Sequence, residues 1–162
     1  MKVNIGSVVV PFVGQSTGDK TVRSDSCLGN SNIVLYFYPK DNTPGCISEG
    51  VSFSQHFADF QAANTVIFGV SRDSLASHER FKMKYSFPFD LICDSDQTLC
   101  KQFDAVKPKK LFGKEFVGIE RCTFLIDKQG VLQHEWRKVR IKGHVEDVLQ
   151  AARALEGQIE TV

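Results

Sequence analysis

The sequence predicts an α/β fold in which a mixed central sheet carries helices on both of its faces. Short apolar runs rich in β-branched and aromatic residues alternate along the chain with segments of helical periodicity. Right-handed crossovers make the first three of the central strands parallel, so their carboxyl ends share the edge where open α/β sheets usually bind ligands. The segment before residue 30 reads as a β extension of short strands and turns. A length of 162 residues fits one domain, residues 1–162.

The first half of the chain contains the predicted centre of the sheet. Residues 33–38 form a continuous apolar run, which is typical of a buried central strand. After Cys46, apolar residues recur at helical spacing and predict one helix with an aromatic stripe facing the core. A strand at residues 65–70 follows, and either Asp73 or Ser74 caps the next helix.

The second half of the chain continues the alternation of strands and helices. In chain order we expect a strand at 89–93, a short helix at 99–103 and a basic loop at 107–114. Two paired strands at 122–126 and 131–136 and a final helix at 144–155 follow. The final helix has apolar residues at the spacing of one helical face, which predicts that it packs against the sheet.

Composition and charge argue against several classes of protein. Lysine and arginine number 20 and aspartate and glutamate 19, so a net charge of +1 creates no field to attract nucleic acid or an acidic membrane. No apolar run approaches the roughly 20 residues of a membrane helix. The N-terminus lacks the pattern of a secretory signal. We therefore expect a cytoplasmic protein with neither nucleic acid nor membrane as a partner.

The cysteines and histidines do not form a recognisable structural or metal site. An odd number of cysteines at scattered spacing is a poor disulfide framework, and they are Cys27, Cys46, Cys93, Cys100 and Cys122. The absence of a C-x-x-C pair argues against a zinc ribbon and against a thioredoxin-type disulfide reductase. The four histidines make no ligand pair by spacing, so we expect no metal and no other cofactor.

Cys46 has the sequence context of a reactive thiol. It lies in the first turn of a predicted helix, where free backbone N–H groups and the helix dipole stabilise a thiolate, the reactive form of cysteine. The Pro44-Gly45 pair predicts a tight turn that exposes the sulfur. Thr43 can place its hydroxyl beside the sulfur, and the N–H groups of Gly45 and Cys46 point into the same space. The alternatives are a buried apolar cysteine and a threonine that only caps the helix.

The run from Tyr36 to Cys46, YFYPKDNTPGC, resembles the active-site signature of the peroxiredoxins, specifically the bacterioferritin-comigratory-protein or PrxQ subgroup. The resemblance continues through GVSRDS and GIERCTFLID and covers roughly residues 1 to 156. It implies a thioredoxin-like fold with an N-terminal extension. It also implies a thiol-dependent peroxidase that reduces hydrogen peroxide and small organic hydroperoxides without metal, haem or flavin.

The resemblance assigns roles to residues around the thiol. Cys46 would be the nucleophile and become a sulfenic acid. Arg121 matches the arginine that closes the pocket, and its guanidinium would stabilise the thiolate and bind the peroxide. Pro39 would shield the thiolate from solvent, and Glu49 matches a carboxylate that orients the arginine. Without the resemblance, Arg121 would read as a solvated charge at a strand edge.

Recycling is where the sequence departs from the family pattern. Val51 and Lys82 occupy the two positions where the family usually has its resolving cysteine. One interpretation is that an external thiol, from thioredoxin, glutaredoxin or glutathione, attacks the sulfenic acid. The other is an internal partner, for which Cys93 and Cys100 are the first candidates, whereas strand alternation points Cys122 to the opposite face. Subgroup members are often monomers, so we expect a monomer or a weak dimer.

Two other functions remain as alternatives. The chain could be a redox-sensing or chaperone-like binding protein that oxidation of Cys46 switches, and repeated peroxide turnover with a thiol reductant distinguishes an enzyme from it. A thiol-disulfide oxidoreductase is disfavoured because the C-x-x-C pair is missing.

Overall fold

A seven-stranded mixed sheet forms the centre of the computed structural model, which describes residues 3–157. The strands of the described chain are β1 (Val13–Ser16), β2 (Lys20–Arg23), β3 (Asn32–Phe37), β4 (Thr65–Ser71), β5 (Asp90–Cys93), β6 (Val106–Leu111), β7 (Lys114–Ile119), β8 (Cys122–Ile126) and β9 (Leu132–Trp136). The α-helices are α1 (Pro44–Gln55), α2 (Phe57–Ala62), α3 (Leu75–Tyr85), α4 (Thr98–Gln102) and α5 (His144–Leu155), and a short 3-10 helix spans Ser24–Cys27. The sheet order is β2-β1-β5-β4-β3-β8-β9. The predicted domain 1–162 therefore includes residues 1–2 and 158–162, which lie outside the described part.

The predicted parallel centre of the sheet is confirmed. Strand β3 pairs parallel with β4, and β4 pairs parallel with β5. On its other side β3 pairs antiparallel with β8, which in turn pairs antiparallel with β9. The N-terminal extension is the β1–β2 hairpin, and β1 joins the sheet antiparallel to β5. The carboxyl ends of β3, β4 and β5 therefore lie at one edge, where the chain enters α1.

Alternation along β3 divides the core into two layers. Val34, Tyr36 and Tyr38 face a cluster that includes side chains from α1, α2, α3 and α5. Leu35 and Phe37 face the other cluster, which α4 and the N-terminal segment cover. Helices on both faces of a mixed sheet were predicted, and this arrangement is confirmed.

Two predicted elements were wrong in detail. The basic segment 107–114 is not a loop, because β6 and β7 form a two-stranded ribbon with full antiparallel register. Phe112 and Gly113 make its turn with φ of 51° and 77°, the left-handed pair that a two-residue hairpin requires. Lysine and proline are depleted in strands, so composition alone favoured a loop here. The helix predicted after Cys46 also breaks at His56, between α1 and α2.

The remaining boundaries agree closely with the predictions. The cap of α3 is Ser74, whose hydroxyl accepts a hydrogen bond from the backbone N–H of Ser77. The final helix spans the predicted residues, and its apolar face is buried. Within residues 3–157, no helix is both long enough and apolar enough to cross a membrane.

Candidate active site

The loop from β3 into α1 carries Cys46 to the carboxyl edge of the sheet. Pro44 is the first residue of α1 and Cys46 the third, so the thiol lies in the first helical turn as predicted. Cys46 is 2% exposed. The prediction that the Pro-Gly turn exposes the sulfur is therefore wrong: Pro44 is exposed, but side chains from distant segments, Arg121 among them, cover the thiol.

Arg121 is the principal charged group at the thiol. It immediately precedes β8, and the pairing of Cys122 with Phe37 brings it to the end of β3. One guanidinium nitrogen, Nη2, donates to Cys46 Sγ at 3.4 Å, and the other, Nη1, donates to Glu49 Oε1 at 2.8 Å. The side chain is only 17% exposed, so Arg121 is not the solvated strand-edge charge of the alternative interpretation.

Glu49 lies one turn after Cys46 in α1 and is fully buried. Burial raises the pKa of Glu49 to about 7, against the opposing effect of Arg121. Its second oxygen, Oε2, has no hydrogen-bond partner among the described residues. Burial opposes the charge of Arg121, but the nearby Glu49 and Cys46 raise its pKa. The guanidinium of Arg121 therefore contacts two groups, the Glu49 carboxyl and the Cys46 thiol, that can each carry a negative charge.

Gly45 permits the close approach of Arg121. A Cβ atom at Gly45 would meet Arg121 Nη2 at 3.1 Å and Ile141 Cδ1 at 3.3 Å, both tighter than ordinary contact. Ile141, in the segment before α5, was not predicted, because nothing in the local sequence links it to the turn at Cys46. A side chain at position 45 would therefore crowd Arg121 and Ile141, so packing favours glycine here.

Thr43 and Pro39 lie in the same loop. Thr43 is the N-cap of α1, but its side chain makes no capping hydrogen bond. Its hydroxyl instead donates to the backbone carbonyl of Lys40 at 2.8 Å. The alternative role of a side-chain helix cap is therefore wrong, and the hydroxyl oxygen retains lone pairs for a second partner. Pro39 directly follows Tyr38 and is half-buried.

The other cysteines lie in different surroundings. Cys100 and Cys122 are fully buried in the cluster on the opposite face of the sheet from Cys46, as predicted for Cys122. Burial raises the pKa of Cys122 to about 12, and burial with the nearby Asp94 raises the pKa of Cys100 further. Cys93 ends β5 and is half-buried.

The residues at the two positions of the family's usual resolving cysteine make structural contacts. Val51 packs against the first core cluster. Lys82, in α3, donates to Asp90 Oδ1 at 2.7 Å, and Asp90 also accepts from Lys20 and Thr17. These contacts tie α3 to β5 and to the N-terminal extension.

A buried polar cluster beside the loop was missed by sequence reasoning. Asp41 accepts hydrogen bonds from Tyr38 Oη at 2.6 Å and from Ser77 Oγ at 2.8 Å, and its Oδ2 lies 2.7 Å from His78 Nδ1. Asp41, Asp73 and His78 are the one group within residues 3–157 whose ligand-type atoms approach one another within 4.8 Å. Hydrogen bonds to neighbouring protein groups engage Asp41 Oδ2, Asp73 Oδ2 and both ring nitrogens of His78. Only the separate signals of Asp41 and His78, each polar and near a strand end, could have indicated this cluster.

Comparison with known proteins gives a consistent family assignment. The model of the AhpC/TSA family matches residues 5–135. Peroxiredoxin Bcp of Bacillus subtilis is 46% identical over 94% of this chain and 97% of its own length. A cysteine-to-serine variant of Xylella fastidiosa PrxQ is 40% identical, with a TM-score of 0.88 over 94% of this chain and 96% of that chain.

A third relative adds a chemical activity. Xanthomonas campestris bacterioferritin comigratory protein, studied as a trapped intermediate/ligand complex for its alkyl peroxide reduction activity, is 38% identical. Its TM-score is 0.85 over 95% of this chain and 98% of that chain. The chain belongs to the AhpC/TSA family and is a peroxiredoxin of the Bcp/PrxQ type, an oxidoreductase of the thiol peroxidase class with a thioredoxin-like fold.

Proposed function

We propose that Cys46 is the nucleophile that reduces hydrogen peroxide and small organic hydroperoxides, and that an external thiol recycles it. The observation that carries this proposal is the 3.4 Å contact between Arg121 Nη2 and Cys46 Sγ at the start of α1. A guanidinium and a helix N-terminus both stabilise the thiolate, which is the reactive form. The relative from Xanthomonas campestris, named for alkyl peroxide reduction, supports organic hydroperoxides as substrates.

The first step is a displacement at oxygen. The Cys46 thiolate attacks the terminal oxygen of the hydroperoxide, a sulfur–oxygen bond forms and the oxygen–oxygen bond breaks. The sulfur becomes a sulfenic acid and is oxidised by two electrons, while the peroxide is reduced by two. The leaving oxygen departs as alkoxide, or as hydroxide from hydrogen peroxide, and takes a proton to become alcohol or water. Negative charge therefore moves from sulfur to the leaving oxygen during the step.

The surrounding residues suit this movement of charge. Arg121 lies at the sulfur, where it can also donate to the peroxide oxygens. The N–H groups of Gly45 and Cys46 are among the unpaired donors of the first turn of α1. The Thr43 hydroxyl oxygen can accept a hydrogen bond from the peroxide while the same hydroxyl donates its hydrogen to the backbone carbonyl of Lys40. Glu49 holds Arg121 in place, and Pro39 limits access of water.

Resolution from outside is favoured by the positions of the other thiols. Cys100 and Cys122 lie across the sheet from Cys46, and an internal disulfide needs Cα atoms about 4.4 to 6.8 Å apart. Lys82 is bound to Asp90 at the usual resolving position in α3. The external thiol would come from thioredoxin, glutaredoxin or glutathione. Cys27 packs against the second core cluster as well, so Cys93 is the internal candidate to test first. The protein would act in the cytoplasm as a single domain of residues 1–162, as a monomer or a weak dimer.

Peroxide consumption by matched cysteine variants tests this proposal. The wild type and Cys27→Ser, which changes a half-buried thiol in the N-terminal extension, are expected to consume peroxide repeatedly with thioredoxin and its reductase. Cys46→Ser is expected to lose this activity and keep its fold. Substantial turnover by Cys46→Ser would overturn the assignment. A single stoichiometric oxidation of wild type without turnover, with any of the three thiols, would instead favour a redox sensor.

A further inference from the structure

The buried polar cluster next to the active-site loop contains a histidine that the peroxidase mechanism does not use. We call Tyr38, Asp41, Ser77 and His78 the Asp41 cluster. Asp41 lies in the loop between β3 and α1, whereas Ser77 and His78 belong to the first turn of α3. The His78 side chain is fully buried, and that of Asp41 is only 3% exposed. A buried carboxylate and a buried imidazole are thus held against each other, and the carboxylate belongs to the loop that leads to the thiol.

Both ring nitrogens of His78 face hydrogen-bond acceptors. Nδ1 lies 2.7 Å from Asp41 Oδ2, and Nε2 lies 3.0 Å from the backbone carbonyl oxygen of Ile92. A carbonyl oxygen can only accept, so Nε2 must carry a hydrogen. Asp41 already accepts from two hydroxyl groups, which favours its ionised form, so Nδ1 must carry a hydrogen too. Geometry therefore favours an imidazolium paired with a carboxylate.

The cluster fixes the loop that leads to the catalytic turn. The backbone N–H of Asp41 donates to Asp73 Oδ2 at 2.9 Å, and the side chain binds Tyr38 at the end of the preceding segment. Through His78 and the carbonyl of Ile92, the loop is also joined to α3 and β5. Thr43 and Cys46 follow Asp41 by two and five residues. Displacement of Asp41 would therefore move the residues that hold the sulfur.

Charge balance gives a second reason for an imidazolium. Burial raises the pKa of Tyr36, and the nearby Glu49, Cys46 and Asp41 raise it further. These three acidic groups therefore all lie near one buried side chain. Arg121 pairs with Glu49 and Cys46. Among residues 3–157, His78 is the one basic side chain within ion-pair distance of Asp41. An uncompensated carboxylate near Cys46 would disfavour the thiolate.

We propose that His78 is held as an imidazolium and acts as a positioning residue for the peroxidase reaction. Its ion pair with Asp41 fixes the loop that precedes Cys46 and cancels the charge of Asp41 beside the thiolate. The groups that face the ring are the Asp41 carboxylate, the Ile92 carbonyl and the Tyr38 ring, whose centroid lies 6.3 Å away. The carboxylate of Asp73 lies within 4.8 Å and accepts from the backbone N–H of Asp41. The effect on reaction rate rests on the proposed function, whereas the protonation state of His78 does not.

Nuclear magnetic resonance of the reduced, ¹⁵N-labelled protein at pH 7.5 tests the protonation state. The His78 resonances are identified by their loss in His78→Gln, and the exposed His134 serves as an internal reference. We expect a directly bonded hydrogen on both ring nitrogens of His78. One nitrogen without a hydrogen would overturn the proposal. Added Zn²⁺ that displaces a ring hydrogen at micromolar concentration would also overturn it and assign a metal site instead.

Single-turnover oxidation by hydrogen peroxide tests the positioning role. The thiolate fraction at pH 7 and the rate of sulfenic acid formation should fall about tenfold in His78→Gln, as expected for an unpaired like charge near an ionisable group. The double variant Asp41→Asn/His78→Gln should regain most of the rate because no buried charge is left unpaired. His134→Gln is the matched control and should behave as wild type.

Each result of the rate experiment decides one part of the proposal. A folded His78→Gln with the wild-type rate would overturn the positioning role, and a double variant as slow as the single one would overturn the charge balance. If His78→Gln does not fold, the double variant, which also lacks His78, identifies the His78 resonances of the wild type and decides the charge balance. A wild type that does not react with peroxide would contradict the proposed function and leave the resonance result readable.

Discussion

Cys46 lies on one face of the sheet and Cys100 and Cys122 lie on the other, and all three thiols are at most 2% exposed. They differ in the charges that surround them. Arg121 donates to Cys46 Sγ at 3.4 Å, whereas the dominant influence on Cys100 and Cys122 is burial, which raises the pKa of both. Burial without a contacting cation disfavours the thiolate, whereas a guanidinium in contact with a buried sulfur favours it.

Replacement of Arg121 should have the largest effect on the reactivity that distinguishes Cys46 from the thiols on the other face. In Arg121→Ala, we expect sulfenic acid formation to slow by about 10²- to 10³-fold, the usual loss when one preorganised donor is removed. Glu49 would also be left buried without its partner, which lowers stability. Arg121→Lys keeps a charge but cannot contact both partners, so its rate should be intermediate. Single-turnover kinetics measure both variants, and an unchanged rate in Arg121→Ala would contradict the comparison.

A methyl group at Gly45 should disturb the same contact without changing any charge. Because its Cβ would lie 3.1 Å from Arg121 Nη2, we expect the guanidinium to shift and its contact with the sulfur to weaken. We expect the first oxidation step in Gly45→Ala to slow about tenfold, in line with small misplacements at other active sites. Ser48→Ala, at an exposed position of the same helix, is the control. Equal rates in the two variants would show that the position of Arg121 is not critical.

The pH dependence of stability tests the electrostatics of the Cys46 face. The pKa of Glu49 rises from 4.5 to about 7 on folding. Below pH 4.5 the carboxyl is protonated in both states, and between pH 4.5 and 7 it ionises in the unfolded chain first. Wild type should therefore lose about 3 kcal/mol of unfolding free energy across this interval relative to Glu49→Gln. Urea unfolding of both proteins measures the difference, and parallel pH profiles would contradict the shift.

Substitution of the other thiols should have the smallest effect on turnover. With thioredoxin and its reductase, we expect Cys27→Ser, Cys93→Ser, Cys100→Ala and Cys122→Ala each to keep most of the steady-state rate. The last two remove atoms from the core and should lower stability modestly. A variant that stops turnover but spares the first oxidation would identify an internal resolving cysteine, and Cys93 is the one to test first.

Local pattern was sufficient to predict the parts of the fold that depend on neighbouring residues. The apolar run at 33–38 predicted the central strand β3, and the sequence around Cys46 predicted that the thiol lies in the first turn of a helix. The Pro-Gly pair belongs to that first turn and does not precede it. Resemblance to the peroxiredoxins was needed for Arg121, because 75 residues separate it from Cys46. Strand composition alone gave no reason to place it at the thiol.

Features that depend on tertiary contact were missed. The burial of Cys46 and the contact of Ile141 with the turn require the segment before α5 to fold back over α1. The pairing of His78 with Asp41 joins residues 37 positions apart, through side chains whose types are common at loop and helix ends. The β6–β7 ribbon was missed because lysine and proline favour loops, whereas the Phe112-Gly113 turn determines the structure.

The most direct test of the central claim is the mass of reduced protein after one equivalent of hydrogen peroxide, located by peptide mapping. If Cys46 is the activated thiol and is resolved from outside, the protein should gain one oxygen, and that oxygen should be on the peptide that contains Cys46. Oxygen on Cys100 or Cys122 would contradict the difference between the two faces. A loss of two hydrogens with Cys46 in an internal disulfide would contradict resolution by an external thiol.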